Sequence, residues 1–244
     1  WIGGKVNRKI AKRPTMTYCY SATRFGMQAM ILQTLRELDK ELEGEGKQPY
    51  LGGADNYQCA MWLSHVLYDA IRTTVSSAAR AMDWLRDVAM VAAKANLPLW
   101  WDTPMGLPVL QEYKKQTGQR CEVHWAGQRL RVTLQVDGEY IDSRSQANGV
   151  APNFVHSLDA THMLMTAKDA YGRGIDFAGV HDSFWSHAED IDVLAECIRE
   201  QFIALHSEPI LERLADAVRW RYPDAEIPDP PKQGSLDLGR IRES

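Results

Sequence analysis

The sequence predicts a mainly helical α+β fold with small antiparallel sheets. Three observations predict it: apolar residues at helical spacing towards both ends of the chain, a Pro- and Gly-punctuated stretch from Leu97, and short alternating runs within residues 121–136. In residues 15–43, Met16, Phe25, Met27, Met30, Ile31, Leu35, Leu38 and Leu42 follow a helical period that Gly44 and Gly46 end. Pro14 suits a first helical turn, where its missing N–H is harmless; a helix starting near Arg8 would instead be kinked by it. After Gly52-Gly53, two more helices are predicted over residues 56–73 and 76–96, the second carrying Met82, Leu85, Val88 and Ala92.

Pro98, Pro104, Gly106 and Pro108 bracket an extended unit over residues 98–113. Residues 121–125 and 130–136 alternate as strands, with Ala126-Gly127 and Asp137-Gly138 as turns. A helix should start near Pro152 and end at Tyr171-Gly172. Residues 177–180 and 184–185 should form a hairpin around His181-Asp182-Ser183. Helices over 191–206 and 208–220 precede a Pro-rich tail, and no internal repeat is visible.

The 244 residues are 45% hydrophobic and 25% charged, which excludes wholesale disorder and a collagen-like repeat. No run reaches the roughly 20 apolar residues that cross a bilayer, so no membrane partner is expected. Cys19, Cys59, Cys121 and Cys197 are spaced too widely for zinc pairing and are expected to be free thiols. The chain opens Trp-Ile-Gly-Gly without a leader and reads as the downstream piece of something longer. Net charge is −4, yet residues 1–36 hold seven basic side chains and no acidic one, while the remaining 208 residues hold 21 basic and 32 acidic. That segregation marks either a local anion site or a solvated basic helix face.

Three constellations are candidates for chemistry. Arg8, Lys12, Met16 and Tyr20 are four apart, so on a helix they stack along one face, with Lys9 and Arg13 on the adjacent stripe. Cations ending in an aromatic hydroxyl suit a nucleoside triphosphate; the bland alternative is Tyr20 in a core with its charges in water. Asp182 at a hairpin tip suits a divalent metal, although Asp is also common in turns. His156, Asp159 and His162 fall three apart beside an apolar face. Zinc helices usually space their histidines by four, which favours a hydrogen-bonding histidine here.

The blocks Arg8-Lys9-x-x-Lys12-Arg13-x-x-Met16-Thr17-x-x-Tyr20, Pro152-Asn153-Phe154-Val155-His156-Ser157-x-Asp159 and His181-Asp182-Ser183-Phe184 occur in this order. Trp101-x-Thr103-Pro104-x-Gly106-x-Pro108-Val109-x-Gln111-x-Tyr113-Lys114 lies between the first two. Together they resemble the bacteriophage-type single-subunit DNA-dependent RNA polymerases, which include the mitochondrial enzymes, over nearly the whole chain. The resemblance implies the fingers and distal palm of a right-hand-shaped polymerase. Fingers helices would occupy residues 1–96, a strand-rich junction 97–145, the distal palm with its metal-binding hairpin 146–222, and the tail 223–244.

By the same resemblance, Arg8 and Lys12 hold the incoming triphosphate, with Arg13 beside them. Tyr20 helps select ribose over deoxyribose, and His156 joins it at the 2′-hydroxyl. Asp182 binds metal, supported by His181 and Ser183. Two magnesium ions, a DNA template, an RNA product and ribonucleoside triphosphates are the implied cofactor and partners, and the implied enzyme is a monomer. The implied setting is the cytoplasm of an infected bacterium, with an organellar one left open. No counterpart of the family's other metal-binding aspartate block is present, so the 244 residues are not expected to polymerise unaided. Ser21 stands where many relatives have Gly, Pro14 is uncommon at its position, and the aromatic C-terminal extension of some phage members is lacking. The alternatives are a related DNA polymerase, which His181-Asp182-Ser183 opposes, and a non-catalytic nucleic-acid-binding module.

Overall fold

Apolar residues three and four apart fold the first part of the chain into α1 (Arg8–Tyr18), α2 (Arg24–Gly44), α3 (Asn56–Thr74) and α4 (Ser76–Lys94). The computed structural model describes residues 4–18, 20, 22–180 and 182–243. They divide into two compact units, Trp1–Asp83 and Trp84–Ser244.

In the first unit, Ile10 of α1, Ile31, Leu35 and Leu38 of α2, and Ala60 and Leu63 of α3 form one buried cluster. Each fully buried side chain of the Ile or Leu size contributes about 1.5–3 kcal/mol. The helical period of residues 15–43 belongs to two helices, not one. The Thr17 carbonyl accepts the N–H groups of Tyr20 (3.0 Å) and Ala22 (3.2 Å), which closes a turn. Thr23 then starts α2 by accepting the Gly26 N–H at 3.1 Å. The first helix begins at Arg8, capped by Asn7 through the Ile10 N–H (3.1 Å). Pro14 therefore lies inside α1, buried, and deprives the Ile10 carbonyl of its intrahelical donor.

The second unit opens with the end of α4 and continues with an antiparallel pair, β1 (Leu99–Asp102) and β2 (Pro108–Gln111), where the prolines predict an extended unit. The long pair β3 (Lys114–Trp125) and β4 (Gln128–Ile141) follows, joined by Ala126-Gly127. Asp137-Gly138 is not a turn; it lies within β4. The register shifts between Lys114 and Gln116, and a Cβ on residue 138 would sit 2.9 Å from the Lys115 carbonyl oxygen, so this bulged pairing needs glycine. One face of the pair is polar. The other carries Val123, Trp125, Leu130, Val132, Leu134 and Val136, all exposed.

Next come α5 (Ser143–Gly172), the hairpin β5 (Ala178–Val180) and β6 (Ser183–Trp185), α6 (Ile191–His206) and α7 (Ile210–Arg221). α5 starts well before Pro152. Asp142 caps it, accepting from the Arg144 (3.0 Å) and Ser145 (3.3 Å) N–H groups, and Pro152 is accommodated in its interior. α6 packs on α5 and carries the short 3₁₀ turn Leu238–Glu243, where Arg242 forks onto Glu200 (2.6 and 2.9 Å). Among the described residues, Cys59, Cys121 and Cys197 form no disulfide; Cys19 lies outside the described residues. Among the described residues, no helix is long and apolar enough to cross a membrane.

His206, on the last turn of α6, stacks on Phe202 at 4.2 Å between ring centroids. Burial holds its pKa below the usual histidine range; nearby His162 lowers it further, and Asp159 opposes both. A group depressed in this way favours the folded chain above its unfolded pKa, and that contribution is lost as pH falls through the folded value. Thermal unfolding followed by circular dichroism is therefore expected to show a midpoint that drops from pH 7 to pH 5. The drop should be smaller in His206→Gln.

Candidate functional site

α1 presents two opposed stripes because side chains four apart share a helix face. Ile10, Pro14 and Tyr18 are buried, whereas Arg8, Lys12 and Met16 are exposed. The adjacent cations are engaged: Lys9 pairs with Glu41 at 2.8 Å, and Arg13 donates to Gln33 at 3.1 Å. Among the described residues, neither the Arg8 nor the Lys12 side chain makes a hydrogen bond or ion pair. At about 1.5 Å rise per residue, the two lie roughly 6 Å apart along the axis. The spacing of the expected row therefore holds from Arg8 to Met16. Tyr20 falls beyond the end of α1, in the turn closed by Thr17, and is 41% exposed. Ser21 lies outside the described residues.

In the second unit the Trp101-to-Lys114 block docks on α5. Trp101, 2% exposed, sets its ring against Phe154 at 5.7 Å and donates its indole N–H to Ser157 Oγ at 3.1 Å. Gln111 and Gln146 exchange amide-to-carbonyl bonds of 2.9 and 3.0 Å in full burial. Asn153 donates to Gln111 Oε1 (2.9 Å) and to the Tyr113 hydroxyl (3.2 Å). Gly149 lets this ring approach, since a Cβ there would lie 2.6 Å from Tyr113 Cε2. The stretch of α5 around His156 is thus fixed on both sides, and His156 itself is exposed.

The His-x-x-Asp-x-x-His run does not gather. His156 and Asp159 are exposed, while His162 is half-buried and hydrogen-bonds through Nε2 with the Ile198 carbonyl at 2.9 Å. Among the described residues, no three His, Cys, Asp or Glu side chains group as a metal site. The hydrogen-bonding reading of the run is the one that fits His162.

β5 and β6 pair from Ala178↔Trp185 to Val180↔Ser183, which puts Asp182 in the tight connection, exposed. Phe184 anchors the hairpin against Phe177 (5.5 Å) and His162 (6.1 Å). His181 lies outside the described residues. Magnesium takes one or two carboxylates plus substrate phosphates rather than a full protein cage. An exposed carboxylate on a braced tip fits one such ligand position.

Sequence reading missed Gln146 and Tyr18. No sequence signal marks the first, whose full burial on α5 exists only in the fold. For the second the signal was the Ile10-Pro14-Tyr18 spacing, which continues the buried stripe to the helix end.

A family model described as DNA-dependent RNA polymerase matches residues 1–234. DNA-directed RNA polymerase 3, chloroplastic, of Nicotiana sylvestris is 39% identical over 240 residues, 98% of this chain and 23% of the relative. DNA-directed RNA polymerase 1, mitochondrial, of Arabidopsis thaliana is 34% identical over 241 residues, with the same coverage of 98% and 23%. DNA-directed RNA polymerase 2A of Nicotiana tabacum is 35% identical over 241 residues, 98% of this chain and 68% of the relative. The chain thus spans about a quarter of the first two relatives.

Proposed function

Because the chain belongs to the DNA-dependent RNA polymerase family, we propose that it supplies the nucleotide-binding helix and a metal-binding hairpin for RNA synthesis on a DNA template. The observation that carries this reading is the exposed pair Arg8 and Lys12, free of ion pairs among the described residues, on the face of α1 opposite its buried stripe. Cations that engage no protein carboxylate are available to a ligand anion. Arg8 offers a planar fork and Lys12 a point charge to the phosphates of a ribonucleoside triphosphate. Both would offset the charge that grows on the leaving pyrophosphate as the RNA 3′-hydroxyl attacks the α-phosphate. Arg13, tied to Gln33, would contribute less.

Tyr20 and His156 would recognise the 2′-hydroxyl. A site built to hydrogen-bond a hydroxyl disfavours the analogue lacking it, because its own polar groups are then left unpaired. Asp182 would be one carboxylate ligand for magnesium, with His181 and Ser183 supporting it. When bound with a further carboxylate and the substrate phosphates, two magnesium ions would stabilise the attacking and leaving oxygens. We assign residues 1–96 to fingers, 97–145 to the junction, 146–222 to distal palm and 223–244 to a tail, all within a single-subunit enzyme. The 244 residues alone would not polymerise. The chloroplastic and mitochondrial relatives favour an organellar setting over an infected bacterium.

Lys12→Ala in the full-length polymerase tests the reading. Loss of a charge-assisted contact worth about 1.5–3 kcal/mol should raise the KM for ribonucleoside triphosphates roughly 10–100-fold. Template affinity should stay unchanged in a filter-binding assay. An unaltered nucleotide dependence would remove Lys12 from the site.

A further inference from the structure

The segment that carries Tyr20 joins α1 to α2, and both of its ends are tied to neighbouring positions on α3. At its start, Tyr18 is 2% exposed and meets Tyr68 edge-on, with ring centroids 5.2 Å apart and planes at 68°. Tyr18 also lies within electrostatic reach of Arg72, one turn further along α3, and Arg72 is ion-paired with Asp83 of α4. At its end, Arg24 donates to Asp69 at 2.7 Å and lies over the same Tyr68 ring, 5.0 Å from its centroid. Tyr68, Asp69 and Arg72 therefore share one stretch of α3 and grip both helix ends. Between them, the Thr17 carbonyl holds the Tyr20 N–H at 3.0 Å. Burial raises the Tyr18 pKa, Tyr68 adds to the rise and Arg72 opposes it; the phenol stays protonated and serves as a neutral partner for Arg72 at physiological pH.

We infer that Tyr18, Arg24, Tyr68 and Arg72 are positioning residues that clamp the connection carrying Tyr20 onto α3 and so set how strictly ribose is told from deoxyribose. This rests on the reading of Tyr20 as a ribose-selecting residue. A side chain that reads a single hydroxyl must be held to a fraction of an ångström, and remote changes that shift such a group by about 1 Å cost up to about 10²-fold. Loss of general stability would lower the use of both sugars together, whereas loss of the clamp changes their ratio.

The test measures the ratio of kcat/KM for a ribonucleotide over its deoxyribonucleotide in the full-length polymerase. Tyr20→Phe is the reference and should collapse the ratio. Arg72→Ala should lower it about tenfold and Asp69→Asn about threefold, with Arg72→Lys recovering most of the loss. In a Tyr20→Phe background, Arg72→Ala should add nothing, because groups acting through one another are not additive. Should Arg72→Ala fail to fold, the exposed pair decides through Asp69→Asn and Arg24→Gln. An unchanged ratio in those two variants, or in Arg72→Ala, beside a collapsed ratio in Tyr20→Phe overturns the clamp and leaves the role of Tyr20 standing. Multiplying losses in the double variant overturn it too. An unchanged ratio in Tyr20→Phe itself overturns the reading of Tyr20 and the clamp with it.

Discussion

Asp182→Asn is expected to abolish RNA synthesis by the full-length polymerase, lowering it by about 10³-fold or more while the protein stays folded and bound to its template. The substitution keeps size and turn preference, and it removes the negative charge that a hard cation requires. Asp182 is exposed in the β5–β6 connection, and the strand ladder and Phe184 hold that hairpin without help from its carboxylate. Stability should therefore change little. A direct binding measurement with manganese in place of magnesium should show weakened uptake independent of turnover. Synthesis near the normal rate would remove Asp182 from the chemistry.

Trp101→Ala is expected to cost about 3–5 kcal/mol of folding stability, the range for deleting a large buried aromatic side chain. Trp101 is 2% exposed, fills space against Phe154 and donates to Ser157, two residues of the same α5 stretch that carries His156. Its loss opens a cavity beneath that stretch and, among the described residues, leaves the Ser157 hydroxyl only its bond to the Phe154 carbonyl (2.7 Å). Trp101→Phe keeps much of the ring and should cost about 1 kcal/mol for the missing hydrogen bond plus a partial cavity. Urea unfolding read by circular dichroism checks both. A loss below about 1 kcal/mol for Trp101→Ala would mean that the block does not depend on this packing.

What the sequence disclosed follows the range of the forces involved. Arg8, Lys12 and Met16 were legible because four-residue spacing fixes a helix face wherever the helix forms. The Asp182 hairpin was legible because Ala178–Val180 and Ser183–Trp185 are adjacent in sequence. Tyr20 was misplaced by the same periodicity. Four-residue spacing continues past Met16, but Thr23 caps a new helix and the Thr17 carbonyl turns back the chain before it. α5 was read as starting near Pro152 because proline favours a first turn; the Asp142 cap overrides that preference from outside the motif. The exchange between Gln111 and Gln146 spans 35 residues and leaves no local pattern. Neither does the grip of α3 on Tyr18 and Arg24, which exists only once three helices have packed.

Single-nucleotide extension of an RNA primer on a DNA template by the full-length polymerase tests the central claim most directly. Matched ribo- and deoxyribonucleoside triphosphates are compared in separate reactions with magnesium. The account predicts efficient addition of the ribonucleotide and strong discrimination against its deoxy counterpart. Preferential addition of the deoxyribonucleotide, or no templated addition of either, would contradict it.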